Sequence, residues 1–158
     1  MRERWRRLEA AGVRSLARHT GATHRPHVTV ASAPRSPGES VLALAAERWA
    51  PLLPLRLGVD GLILLGQRRA VVAELLDAGG EAAAARSALV AAWPDADDRP
   101  WVPHVSLATR VPHEQLAAVV AALGTRPPAG EHPPARTATA LRWWDPEHAR
   151  AVVVAGDG

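Results

Sequence analysis

The chain has 158 residues, enough for one domain or two small lobes that share a core. Its 47% hydrophobic and 22% charged content is that of an ordinary globular protein, which argues against disorder or a fibrous repeat. Cysteine is absent, excluding disulfides, thiolate zinc sites, iron–sulfur clusters and cysteine nucleophiles. All 19 basic residues are Arg, so the chain has no lysine for a P-loop, a Schiff base or self-adenylation. The six Trp are its only aromatic residues. A net charge of +3 carried by arginine suits a phosphate-bearing ligand without requiring one. No signal-like apolar stretch follows the Arg-rich start and no run of 18 apolar residues occurs, so a cytoplasmic protein that does not enter a membrane is expected.

In chain order, apolar spacing predicts a helix over 2–18, with Trp5, Leu8 and Leu16 near one face, ended by the stretch 20–25. A short strand over 26–31 follows, then a turn at Ser36-Pro37-Gly38 and a helix over 39–49 stopped by Pro51 and Pro54. Residues 55–65 suit a strand, 66–68 a turn and 69–76 a returning strand. Gly79-Gly80 lead into an alanine-rich helix that runs through Trp93. Next come a strand over 103–108, a helix over 113–123, a loop over 126–134, a strand over 136–144, a turn at 145–148 and a closing strand over 149–155.

The two halves of this list share one plan at an offset near 77 residues, which predicts an internal duplication. The expected fold is α+β. It would be a single bilobal domain over 1–158, with lobes of about 1–77 and 78–158 around a pseudo-twofold axis. Each lobe would be a small antiparallel sheet with outer helices, and a cleft would lie between them.

A repeated hexapeptide carries the chemistry. Pro26-His27-Val28-Thr29-Val30-Ala31 matches Pro103-His104-Val105-Ser106-Leu107-Ala108 at four positions and conservatively at the other two. Strand alternation puts His27 with Thr29, and His104 with Ser106, on one face, and the aliphatic residues on the other. Two such strands facing a common groove would present two imidazoles and two hydroxyls. In-line displacement at a phosphodiester needs a base on the attacking oxygen and an acid on the leaving one, and a His pair supplies both without a metal. Histidine suits both roles because its unperturbed pKa of about 6.5 lies near neutrality. The hydroxyls can donate to the non-bridging phosphate oxygens.

On the motifs His27–Val30 and His104–Leu107, the chain resembles the 2H phosphoesterase superfamily, and within it the bacterial RNA 2',5'-ligase and cyclic phosphodiesterase group. The resemblance implies hydrolysis of 2',3'-cyclic phosphate ends of RNA or nucleotides to 2'-phosphates, without metal or other cofactor, and in some members reversible 2',5' joining. It makes His27 and His104 the acid–base pair and Thr29 and Ser106 the phosphate ligands. The sequence departs from the group in two ways. Its first helix starts almost at Met1, where members commonly have a strand. An Arg often found two residues after the motif's aliphatic is Thr109 here, with Arg110 following; by parity Arg110 shares the face of His104 and becomes a phosphate-ligand candidate.

Trp101, just ahead of the second motif, is a candidate for stacking on a base or ribose, beside a plain packing role. Of Trp143 and Trp144, on opposite strand faces, at most one can line a groove. His24 and His27 lack a neighbouring carboxylate, so no metal site is expected there. His19, His113, His132 and His148 read as loop or helix-end residues, and Asp95, Asp97 and Asp98 as a solvated loop. Two rival readings remain: an RNA- or nucleotide-binding module with little catalysis, and a phosphodiesterase for ADP-ribose cyclic phosphate. A monomer is the expected state.

Overall fold

The computed structural model describes residues 1–18, 25–124 and 134–157. These residues form an α+β fold. Its helices are α1 (Arg2–Ala10), α2 (Glu39–Trp49), α3 (Gly79–Ala92) and α4 (Leu116–Leu123). Its strands are β1 (Leu55–Leu65), β2 (Arg69–Asp77), β3 (His104–Pro112), β4 (Ala135–Ala138), β5 (Ala140–Asp145) and β6 (Arg150–Gly156). No helix among the described residues is long and apolar enough to cross a membrane. The chain forms two compact units, each built from three stretches. One takes Met1–Val28, Val59–Leu76 and Val102–Pro134; the other takes Thr29–Gly58, Asp77–Trp101 and Ala135–Gly158.

In the first unit β2 lies between β1 and β3. Gly66 turns the chain from β1 to β2 at φ 98°, where an added Cβ would come within 3.0 Å of the Arg69 carbonyl oxygen. The β2–β3 pair is antiparallel, with Leu75 opposite His104, Glu74 opposite Val105 and Ala73 opposite Ser106. One face of this pair buries Val72 and Leu107 with Leu8, Val13, Val119 and Leu123 from α1, its following turn and α4. Glu74 lies on the same face, fully buried, and its carboxylate accepts from Arg4 Nη1 at 2.8 Å. Arg4 Nη2 also donates to the Leu123 carbonyl, so a single guanidinium ties α1, β2 and the end of α4 together.

In the second unit Leu55–Gly58 pairs with β4, and β5 pairs with β6. Helix α2 packs on α3 and on β6. Val41, Ala45 and Leu89 form the centre of the core, and Val30, Ala31, Trp93, Leu141 and Val154 pack around them. Helix α3 buries Ala82, Ala85 and Leu89, the i, i+3, i+7 stripe of an amphipathic helix.

Helix α2, strands β1 and β2 and the turns at 66–68 and 145–148 fall where the pattern predicts them. Four expectations need correction. The first helix stops at Ala10 rather than running to 18. Gly12 takes φ 74° and donates to Glu9 O, Val13 donates to Leu8 O, and Val13 buries itself against Leu8; together these make a Schellman stop. Residues 26–31 are not a strand, because they enter no β-ladder. The strand expected over 136–144 is broken at Thr139 into β4 and β5, which pair with different partners. The helix over 113–123 begins as a single 3-10 turn, His113–Gln115. The helix-ending stretch up to residue 24 and the loop up to residue 133 lie outside the described residues.

Glu9 holds the chain beyond the Schellman stop. Its carboxylate accepts from Arg18 Nε at 2.6 Å and from the Ser15 backbone N–H at 2.7 Å, and these bonds lower its pKa from 4.5 to about 2. The folded protein therefore binds this proton less readily than the unfolded chain does. The stability Glu9 provides is complete above pH 4.5 and is lost as the pH falls towards 2. The variant Glu9→Gln should be less stable than the native chain at neutral pH, and the gap should narrow across that acid range in urea titrations. Leu107→Ala, at the fully buried end of the second motif, should cost about 2–5 kcal/mol in the same assay.

Candidate active site

The second motif sits at the start of β3. Val105 and Leu107 are buried, while His104 and Ser106 are half-buried on the opposite face, as alternation predicts. His104 Nδ1 lies 2.8 Å from the carbonyl oxygen of Val102. A carbonyl oxygen only accepts, so Nδ1 carries the proton and Nε2 is the nitrogen left for chemistry.

The first motif reaches the same local geometry without a strand. His27 Nδ1 lies 2.9 Å from the carbonyl oxygen of Arg25, also two residues upstream. Both imidazoles therefore bind the same backbone position through the same nitrogen and hold the same tautomer. His27 and Thr29 are exposed. Among the described residues, neither the Thr29 nor the Ser106 hydroxyl is engaged by a hydrogen bond, so both can donate to an incoming oxyanion.

His27, His104, Ser106 and Arg110 belong to the first compact unit, and Thr29 and Trp101 to the second. Within the second unit Trp101 meets Thr29 directly, its indole N–H donating to the Thr29 carbonyl at 2.9 Å. The Trp101 ring stands edge-on to buried Trp49, with centroids 6.4 Å apart and planes at 86°.

Arg110 is exposed, but the parity that linked its face to that of His104 does not hold. The β2–β3 register slips twice, between Ala73 and Val72 and again between Val72 and Ala70. Each slip inserts one extra β3 residue; Leu107 and Ala108 are both buried, and Arg110 adopts φ 57°. These bulges re-aim the end of β3, and alternation cannot be counted through them.

The chain matches the 2'-5' RNA ligase superfamily over residues 2–143. It belongs to that superfamily, the group of the 2H phosphoesterases. The match covers both histidine motifs and ends inside β5. No curated protein and no solved structure matches the chain. Among the described residues, no group of three His, Asp or Glu side chains is arranged to hold a metal ion.

Two acidic residues do more than the sequence suggests. Asp97 accepts from the Arg99 side chain and backbone, which together lower its pKa to about 2, and its own N–H donates to Ser32 O at 2.8 Å. It is an anchor of the backbone, not only a solvated charge. The Asp-x-Arg spacing was the available signal. Asp145, buried at the β5–β6 turn, is pushed up by burial. Hydrogen bonds from His148 and Arg150 more than offset this, and its pKa is lowered. Trp143 and Trp144 do alternate: Trp144 is exposed and Trp143 half-buried.

The left-handed backbone at Arg110 gives a direct test of the bulge. Arg110→Gly should keep or raise the denaturation midpoint, whereas Arg110→Val should lose about 1 kcal/mol or more, because a β-branched residue is strained at this φ. Equal midpoints for the two variants would show that this backbone is not adopted in solution.

Proposed function

We propose that the chain is a metal-independent phosphodiesterase that opens 2',3'-cyclic phosphate ends of RNA or nucleotides, leaving a 2'-phosphate, with the reverse 2',5' joining of RNA open to the same site. The observation that carries this reading is the matched pair of Nδ1–H to carbonyl bonds, which gives both motif histidines an available Nε2. Membership of the superfamily supports the substrate class. The repeated hexapeptide and its offset support a duplicated, two-lobed ancestry over residues 1–158, each repeat contributing to both compact units.

In the hydrolytic direction, Nε2 of one histidine takes a proton from water as its oxygen bonds to phosphorus. The bond from phosphorus to the 3'-oxygen breaks, and the protonated Nε2 of the other histidine supplies that oxygen with its proton. Thr29 and Ser106 donate to the non-bridging oxygens, where negative charge is stabilised in the transition state. Arg110 adds positive charge for the phosphate.

A panel of 2',3'-cyclic nucleotides, short RNAs with cyclic ends and ADP-ribose cyclic phosphate, followed by phosphorus NMR, tests the reading and separates RNA ends from the small-molecule alternative. His27→Ala and His104→Ala should each lower kcat by about 10²-fold or more. Neither should change the free energy of unfolding by more than about 1 kcal/mol, since neither ring is part of a core. Turnover should persist in a chelator and follow a bell-shaped pH profile, because one ring must start neutral and the other protonated. Full activity in either variant would remove the assignment.

A further inference from the structure

Residues 26–31 carry one histidine and one phosphate-binding hydroxyl of the proposed site, yet no ladder holds them. Three carbonyls of the stretch that begins at Thr29 instead accept bonds from a single donor segment. Trp101 Nε1 donates to Thr29 O at 2.9 Å, the Asp97 N–H to Ser32 O at 2.8 Å, and Trp93 Nε1 to Arg35 O at 3.2 Å. The donor segment is itself braced by Arg86 of α3, whose Nη2 lies 2.9 Å from the carbonyl oxygens of both Asp97 and Arg99.

We infer that Trp101 is a positioning residue for cyclic-phosphate hydrolysis, acting through the Thr29 carbonyl to set the angle at which the Thr29 hydroxyl meets phosphate. This inference rests on the function proposed above. The indole N–H is already committed to protein, and the ring edge-on contact with buried Trp49 fixes the direction in which that N–H points. A base-stacking residue needs a free face and no particular N–H partner; a clamp needs the N–H itself. Trp101→Phe separates the two roles because it keeps an aromatic ring against Trp49 and deletes only the donor.

For Trp101→Phe, kcat on a 2',3'-cyclic mononucleotide should fall about tenfold while KM stays within about twofold, the signature of misplacement in the transition state rather than lost binding. In a Thr29→Ala background the same change should cost much less, because the hydroxyl it positions is gone. Hydrogen exchange of the Asp97 amide, the one backbone donor to this stretch, should quicken in Trp101→Phe and not in Thr29→Ala. Unchanged exchange, a rise in KM with kcat retained, or effects that multiply independently in the double variant would each overturn the inference. If the native chain hydrolyses no cyclic phosphate, the proposed function fails, and exchange alone then decides whether the clamp exists.

Discussion

A backbone carbonyl can accept a hydrogen bond but never donate one, and the candidate site depends on that asymmetry. Each motif histidine turns Nδ1 onto the carbonyl two residues before it. The neutral ring then has one favoured tautomer, and Nε2 is left as acceptor or, once protonated, as donor. A side-chain carboxylate in the same place would fix the tautomer too, but it would also bias the ring towards its charged form. A neutral carbonyl orients the imidazole without placing a formal charge beside it.

The two hexapeptides are nearly the same sequence in different structural states. The second is paired with β2, Leu75 lying opposite His104 and Ala73 opposite Ser106, and the Leu76 N–H reaches the carbonyl of Pro103. Among the described residues no strand pairs with 26–31. Val30 and Ala31 still pack on the core of their unit, so burial of the aliphatic positions survives where the ladder does not. Apolar alternation reports which side chains are buried; it cannot report whether a neighbouring backbone is present to complete the strand.

The same distinction decides what else was legible. The repeated His-x-[Ser/Thr] pair, the helix over 39–49 and the hairpin around Gly66 were readable because each depends on local spacing or on one residue's backbone freedom. The early end of α1 was written in the sequence as Gly12 followed by an apolar residue, but helical periodicity through Leu16 concealed it. The bulges in β3 were not readable. They arise where Val72, Ala108 and Val111 must all reach one core, and no local rule marks an inserted residue when every candidate is small or aliphatic. Glu74 was hidden for a related reason: in sequence it is a polar residue in an apolar strand, and its burial makes sense only once Arg4, seventy residues away, is brought to it.

Support for the site therefore comes from two different physical sources. The second motif is held by a hydrogen-bonded ladder over an apolar core, where Leu107 is fully buried and opening would expose it together with α1 and α4. The first is held by individual donors, two indoles and one amide, delivered from one braced segment. A ladder opens cooperatively, strand with strand, whereas separate tethers can yield one at a time. If both histidines must be in place at once for displacement at phosphorus, the population of competent molecules is governed by the less cooperative half. Of the three donors, the indole at position 101 is the one bonded inside the motif, at the Thr29 carbonyl, and that bond is a single N–H.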